Sequence, residues 1–175
     1  MQRQLGAQVT WLPFDLHPEY PAEGIPREQL IARYGPGMTD RVRDFFASRG
    51  LPYNPNPEVV PNSMSAQRLT ELARDLGRHT AVHDRLMDAY WSEAQNIGDL
   101  DVLRGLAREL DLPEADVEEV LGGDRYRDRI VASTREAASI GANAVPAFLL
   151  DRRLLVLGAQ PNEAFEHAFA RLEAT

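Results

Sequence analysis

The dipeptide Val145-Pro146 is the part of this sequence with the clearest capacity to bind a ligand. It follows a predicted helix that ends at Gly141, and it opens an apolar strand over residues 147–150. An X-Pro bond in such a place is often cis, because that isomer costs little only before proline. We expect a cis bond here. The backbone of Val145 could then pair with an extended ligand, or the proline could serve only to fix the turn.

The absence of cysteine limits the chemistry of the chain. Thiol–disulfide exchange needs a thiolate that attacks a sulfur atom, and none of the 175 residues is a cysteine. The chain alone therefore cannot catalyse this exchange, and we identify no catalytic residue in it.

Histidines offer two further kinds of site. His79 and His83 are four residues apart in a predicted helix, which places both imidazoles on one face, as a zinc pair requires. No carboxylate or cysteine motif completes the ligand set, so the pair could simply belong to a solvated helix start, and we predict no metal. His17, in a loop before Pro18, could act as a general base or could be a surface or packing residue.

Composition and charge argue against several partners. The chain has 19 Lys and Arg against 27 Asp and Glu, and its net charge of -8 argues against nucleic-acid binding and against attraction to anionic membranes. Its 43% hydrophobic and 26% charged residues are typical of a soluble globular protein. No apolar run is long enough to span a bilayer and the N-terminus has no apolar signal region, so we expect a cytoplasmic protein.

The proline-rich N-terminal part predicts short elements. Residues 8–14 are β-branched and aromatic, which predicts a strand. Thr39 is the expected N-cap of a helix and Gly50 its expected stop. The other elements in this part are a loop at residues 15–26, helices at residues 27–34 and 39–48, and an extended segment at residues 51–61.

Helical periodicity continues from Ser63 to Ile140. The first helix of this block carries apolar residues with the i, i+3, i+4, i+7 spacing of one buried stripe. These residues are Leu69, Leu72, Ala73 and Leu76. Asp99 is expected to cap a later helix and Gly141 to end the last one. Two strands, at residues 147–150 and 154–157, and a helix at residues 161–172 follow.

Several local segments, in this order and spacing, resemble one known family. They are Trp11-Leu12-Pro13-Phe14-Asp15-Leu16-His17-Pro18-Glu19, Pro61-Asn62-Ser63-Met64-Ser65-Ala66-Gln67-Arg68-Leu69, Ala89-Tyr90-Trp91-Ser92-Glu93, Ile97-Gly98-Asp99, Val102-Leu103, residues 141–146 and Gly158-Ala159-Gln160-Pro161. From Leu5 onward the chain is similar to the DSBA-like thioredoxin family. It resembles in particular the FrnE-like branch of dithiol-disulfide oxidoreductases, to which 2-hydroxychromene-2-carboxylate isomerases are related.

The resemblance implies an α/β thioredoxin-like fold with an all-helical insertion, in a single DSBA-like domain. Residues 1–26 and 141–175 would form the thioredoxin-like core. Residues 27–140 would form the insertion, and its last helix, at about residues 126–140, would pack back on the core.

The resemblance also implies a missing element. Family members begin with a strand that leads into Cys-Pro-Trp-Cys at the start of the first helix, whereas residues 1–6 align with the end of that helix. The N-terminal strand and most of the first helix are therefore expected to be absent from this sequence. We expect the strand at residues 9–14 to share a sheet with the two C-terminal strands, separated from them by a gap or by a foreign strand. The vacant side of that sheet would favour a homodimer.

Three functions are compatible with the resemblance. The chain could be a thiol-disulfide oxidoreductase homologue that retains the cis-proline substrate groove without catalytic cysteines. It could be a glutathione-dependent isomerase of the 2-hydroxychromene-2-carboxylate type, or a non-catalytic binding module. The expected partner is a thiol or disulfide peptide or a glutathione-like small molecule. No cofactor is expected, because glutathione would act only as substrate or cosubstrate.

Four residues are expected to bind the substrate, namely Val145, Pro146, Asn62 and Phe14. In the isomerase relatives an asparagine placed like Asn62 lies beside the glutathione site, although Asn62 could instead be a helix N-cap. Phe14 belongs to a set of aromatic residues that could line a hydrophobic groove or simply form the core. The other members of that set are Trp11, Tyr90, Trp91, Phe148 and Phe165.

Overall fold

The computed structural model describes residues 6–173 and divides into two compact units. Residues 17–128 form the first, which we call the helical unit, and residues up to Leu16 together with those from Arg129 form the second, the hairpin unit. The predicted boundaries of core and insertion stay a prediction. The predicted helix tail at residues 1–6 lies, apart from Gly6, outside the described residues.

Helices dominate the helical unit. Its elements are β1 (Ile25–Pro26), α1 (Arg27–Tyr34), α2 (Gly37–Ala47), β2 (Val59–Val60), α3 (Met64–Asp75), α4 (His79–Trp91), α5 (Leu100–Glu109) and α6 (Glu114–Gly122). The helix α2 begins at Gly37, so Thr39 is not its N-cap as predicted. Pro36 precedes its first residue and supplies a fixed φ of −62°, which suits a helix start.

The two short strands of the helical unit pair antiparallel, with Ile25 opposite Val60. Sequence reasoning missed them, because two residues carry no detectable alternation. Gly24, just before β1, has φ of +80° and lies so close to the carbonyl of Val60 that a Cβ atom would clash there. Only glycine meets both conditions without strain.

The core of the helical unit follows the predicted helical stripes. Leu69, Leu72 and Ala73 are buried, whereas Leu76 is 40% exposed because α3 ends at Asp75 and the chain turns away there. Asp99 caps α5 as predicted, since its side chain accepts the N–H of Asp101 at 2.8 Å. The buried cluster consists of Ala66, Leu69, Leu72, Ala73, Val82, Leu86, Ala89, Ile97, Leu103, Leu106, Ala107, Leu112, Val117, Val120 and Leu121.

The hairpin unit is built around two antiparallel strands. The helix α7 (Arg127–Ser139), whose first two residues belong to the helical unit, precedes β3 (Ala147–Leu150) and β4 (Leu154–Leu157), and α8 (Asn162–Glu173) follows. The tight turn between the strands closes with a bond from the Arg153 N–H to the Leu150 carbonyl, 3.0 Å long. One face of the hairpin packs on α8, where the rings of Phe148 and Phe165 meet at 4.9 Å.

Residues 8–14 form no strand, so the predicted strand and its predicted place in the C-terminal sheet are wrong. Extended backbone becomes a strand only where a neighbour completes the ladder. Here the partners are hydroxyl groups of α7 instead. The Ser133 hydroxyl donates to the Pro13 carbonyl at 2.7 Å, and the Asp15 N–H donates to the Thr134 hydroxyl at 2.9 Å. The segment is thus fastened to a helix.

Among the described residues, no helix is both long enough and apolar enough to cross a membrane.

Candidate functional site

The peptide bond between Val145 and Pro146 is cis, in agreement with the expectation from sequence. Both residues lie at the exposed start of β3, and Val145 keeps 52% of its surface accessible. The Pro146 carbonyl accepts the N–H of Gly158 at 2.8 Å, which fixes one end of the hairpin. Phe14 is half-buried in the same unit, whereas Asn62 belongs to the helical unit.

The register of the hairpin determines which backbone groups are free. Ala147 lies opposite Leu157, and the bond from Gly158 to Pro146 identifies residues 146, 148 and 150 as the ones that bond to β4. Because directions alternate along a strand, the N–H and C=O groups of Ala147 and Leu149 point away from β4. No other strand among residues 6–173 pairs with that edge. We call it the open edge.

Val145 precedes the open edge along the chain, across the cis bond to Pro146. Among the described residues, neither its N–H nor its C=O has a hydrogen-bond partner. Backbone polar groups normally find partners in protein or water, and here the exposure of Val145 leaves them accessible to a ligand. An extended peptide laid along the open edge would find Ala147 and Leu149 able to continue the ladder, with the unpaired backbone of Val145 next to them in the chain.

The side chains on one face of the hairpin are apolar and largely uncovered. Ala147 and Leu149 are two residues apart and share that face, to which Leu157 also belongs. Leu149 and Leu157 are 43% and 42% exposed. The opposite face carries Phe148 and packs against α8, so only one face is available. The open edge and the uncovered face together provide hydrogen bonds and apolar contacts for a strand-like ligand.

Asn62 uses both ends of its amide inside the helical unit. Its Oδ1 accepts the N–H of Met64, the first residue of α3, at 2.9 Å, and its Nδ2 donates to the Tyr20 carbonyl at 2.7 Å. The N-cap itself is Ser63, so Asn62 lies one residue before the position that the sequence left open for it, and its side chain binds the N–H of the first helical residue from there. Its predicted role in substrate binding stays a prediction.

The two histidines of α4 and Trp91, which were further candidates from sequence, pack against other side chains of the helical unit. His79 and His83 stack with their rings 5.8 Å apart, and no group of three or more potential metal ligands occurs among residues 6–173. Burial lowers the pKa of both imidazoles, with the Arg74 charge acting in the same direction. Trp91 packs against Phe46 at 5.0 Å within the helical unit, as expected of a core aromatic residue.

The loop at the start of the helical unit and the helix α1 bring together a group of residues that was not predicted from sequence. His17 Nδ1 is 3.0 Å from Glu19 Oε1, and the His17 ring stacks on Tyr20 at 4.4 Å with 3° between the planes. Arg33 Nη1 is 3.7 Å from the same carboxylate oxygen. The His-x-Glu spacing in a proline-bounded loop was the available signal.

Comparison with known proteins identifies the relatives of the chain. Residues 1–170 match the DSBA-like thioredoxin domain. An uncharacterized protein, YwbO of Bacillus subtilis, is 27% identical over 167 residues, which are 93% of this chain and 81% of that protein. A probable DsbA oxidoreductase from Streptomyces coelicolor, SCO1869, has a crystal structure with a TM-score of 0.85 and 31% identity over 97% of this chain and 76% of that one.

A more distant solved structure extends the comparison. The cytosolic disulfide reductase DsbM from Pseudomonas aeruginosa, solved with GSH, gives a TM-score of 0.54 and 25% identity, and the match covers 70% of this chain and 69% of that one. These likenesses confirm the predicted α/β thioredoxin-like fold with a helical insertion.

Proposed function

We propose, because this chain belongs to the DSBA-like thioredoxin domain family, that it binds thiol- or disulfide-containing peptides by strand addition to the open edge of β3. The observation that carries the proposal is the unpaired, exposed backbone of Val145 beside the outward-facing groups of Ala147 and Leu149. Pro146 holds this edge in place through its carbonyl bond to Gly158.

The neighbours support this class of ligand. The Streptomyces relative is a probable DsbA oxidoreductase, and the Pseudomonas neighbour is a cytosolic disulfide reductase solved with GSH. Glutathione is itself a short extended peptide, so we include it in the ligand class. The name of the Pseudomonas protein also supports the cytoplasmic location that we propose for this chain.

The chemistry of the proposed function assigns the sulfur to the ligand. None of the 175 residues is a cysteine and none of them supplies a thiolate, so we assign the sulfur at this site to the bound molecule. The contribution of the chain is to hold the ligand backbone in a fixed extended conformation. A ligand held in this way has its sulfur atom in a fixed orientation, in which the thiolate of a second molecule can attack it. Because strand pairing uses backbone hydrogen bonds, its affinity depends little on the side chains of the peptide.

A pair of variants at one position tests the proposal. Ala147→Pro removes an N–H that points to the open edge, whereas Ala147→Ser keeps that N–H and is the control. This N–H makes no bond to β4, so proline is compatible with the edge position. The ligand is a short fluorescent peptide with one cysteine blocked as a mixed disulfide with glutathione, and binding is followed by fluorescence anisotropy.

We expect Ala147→Pro to weaken peptide binding by about fivefold to tenfold, the value of one hydrogen bond, and Ala147→Ser to leave it within about twofold. Equal affinities of wild type and Ala147→Pro, or no binding by the wild type, would refute the proposal. A serine version of the peptide reports how much the sulfur adds. Sedimentation of the free protein detects a homodimer that pairs two open edges, which would compete with the peptide.

A further inference from the structure

The polar group at His17 has the geometry of an oriented base. A carboxylate can only accept hydrogen bonds, so the 3.0 Å contact with Glu19 places the proton of a neutral His17 on Nδ1. The lone pair of Nε2 then points elsewhere. Among residues 6–173, Nε2 has no hydrogen-bond partner, and the side chain is 26% exposed. The imidazole is therefore held in one tautomer and remains accessible to a ligand.

Stacking on Tyr20 and the bond to Glu19 together fix the orientation of the His17 ring. The Tyr20 ring lies parallel to the imidazole at 4.4 Å, and Tyr20 itself is buried. Burial raises the pKa of the Tyr20 phenol, so that group stays neutral at physiological pH. The Tyr20 carbonyl accepts the Asn62 amide, which anchors the loop to the start of α3. The tyrosine on which the His17 ring stacks is therefore held in a fixed position.

Two charged side chains, Glu19 and Arg33, lie beside His17. A hydrogen bond within its own residue and the bond to His17 hold the pKa of Glu19 below its ordinary value, so this carboxylate is charged at neutral pH. Arg33, on the last turn of α1, approaches the same carboxylate and keeps 55% of its side chain exposed. Tyr34 is the other titratable group on α1 that acts on this cluster.

We propose that His17 and Glu19 form a general-base dyad for a small thiol that carries carboxylate groups, with Arg33 as the partner of a ligand carboxylate. This inference rests on the proposed function, which supplies the thiol ligand class. The S–H bond of the ligand breaks, its proton forms a bond to Nε2 of His17, and the electron pair stays on sulfur as the thiolate. Glu19 is a positioning residue that stabilises the imidazolium.

The dyad would supply what the sequence of this chain lacks. A thiol with an ordinary pKa of about 8.5 is only a few per cent thiolate at neutral pH, and the thiolate is the reactive form. A base that removes its proton converts a bound small thiol into the nucleophile that a cysteine would otherwise be. A purely structural brace at His17 would leave the protonation state of the ligand unchanged.

The test measures the protonation state of bound glutathione in the full chain. Ultraviolet thiolate absorbance is recorded at neutral pH on titration with glutathione, with S-methylglutathione as the ligand that binds without a proton to lose. Binding itself is measured by calorimetry. The variants are His17→Gln, Glu19→Gln and Arg33→Gln, and the control is His167→Gln, an exposed histidine on α8. Circular dichroism checks that each variant is folded.

We expect about tenfold more thiolate in the wild-type complex than in free glutathione, a loss of this excess in His17→Gln and a reduced excess in Glu19→Gln. Arg33→Gln should weaken binding about fivefold and leave the thiolate fraction at saturation unchanged. The His167→Gln control should match the wild type. Imidazole nitrogen NMR provides a second signal, because Nε2 of His17 should gain a proton with glutathione but not with S-methylglutathione.

Two results would overturn the dyad. One is binding of glutathione without excess thiolate, and the other is an excess that survives in His17→Gln. An absence of glutathione binding also overturns it, because the ligand class would be wrong. The proposed function is tested separately, through the effect of Ala147→Pro on peptide binding at the open edge. Failure of the dyad and failure of the proposed function can therefore be told apart.

Discussion

The helical unit and the hairpin unit differ in how completely they enclose their apolar side chains. In the helical unit, Leu69 and Leu103 retain 1% or less of their surface, because helices cover them from several sides. In the hairpin unit, one face of β3 and β4 packs on α8 and the other leaves Leu149 exposed. Closed packing provides stability, whereas a half-covered hairpin keeps a surface on which a ligand can lie.

The polar residues show the same contrast. In the helical unit even charged groups are enclosed: Glu71 is buried, and Arg74 Nε lies 3.0 and 3.1 Å from its two carboxylate oxygens. Such a buried carboxylate is tolerable only with a partner of this kind. In the hairpin unit, the backbone of Val145 remains without a partner among the described residues. The paired carboxylate of Glu71 contributes to a rigid framework, whereas the unpaired backbone of Val145 can still form hydrogen bonds to a ligand.

The largest expected effect comes from cavities in the closed core. Leu103→Ala should lower the free energy of unfolding by about 3 kcal/mol, because neighbouring helices cannot collapse onto the space. The matched control Leu149→Ala, on the uncovered face, should cost less than about 1 kcal/mol. Urea denaturation of both variants measures the difference. Equal losses would show that the two units do not differ in packing.

This first test also shows where sequence was informative. The burial of Leu69, Leu72 and Ala73 could be predicted, since helical spacing places them on one stripe. Leu76 belongs to the same pattern but is exposed, because the position at which α3 stops depends on packing beyond the stripe. Periodicity identifies the face of a helix more reliably than its last turn.

The parts of the molecule that sequence did not predict depend on distant partners. Residues 8–14 have strand-like composition, yet the Pro13 carbonyl and the N–H of the adjacent Asp15 bond to Ser133 and Thr134, which are 120 and 119 residues away along the chain. At the candidate site, the cis bond before Pro146 followed from local context. The stacking of His17 on Tyr20 could not, because it depends on the three-dimensional path of the loop.

A smaller effect is expected at the start of α5. Asp99→Ala removes the side chain that accepts the Asp101 N–H, and it should cost about 1 kcal/mol of unfolding free energy. Asp99→Asn keeps an acceptor at the same place and is the control, with a loss of only a few tenths of a kcal/mol expected. Thermal unfolding of the two variants decides the point. A full loss in the asparagine variant would mean that charge, and not capping, is responsible.

The smallest expected effect is a pH dependence in the helical unit. Burial lowers the pKa of His79 and His83 in the folded state, so the unfolded chain binds protons more readily. Stability should therefore be complete above the ordinary histidine value of 6.5 and should fall as the pH decreases towards the lowered folded values. The Arg74 charge strengthens this effect, whereas Glu71 opposes it at His79.

Denaturation at several pH values between neutral and mildly acidic measures this slope. The double variant with His79→Gln and His83→Gln should have a flatter slope than the wild type, and His167→Gln should have the same slope as the wild type. A double variant with an unchanged slope would attribute the acid sensitivity to other groups.

The placement of the two tryptophans gives each unit its own optical reporter. Trp91 is enclosed by Phe46, Tyr53 and Tyr90, with ring centroids 4.5 to 5.9 Å away, so its fluorescence arises in an apolar setting and receives energy from the tyrosines. Trp11 is 50% exposed, so its fluorescence arises in a solvent-exposed, polar setting. The emission spectrum of the intact protein therefore has two components, one from the tryptophan of each unit. Local opening of either unit first shifts the emission wavelength of the tryptophan in that unit.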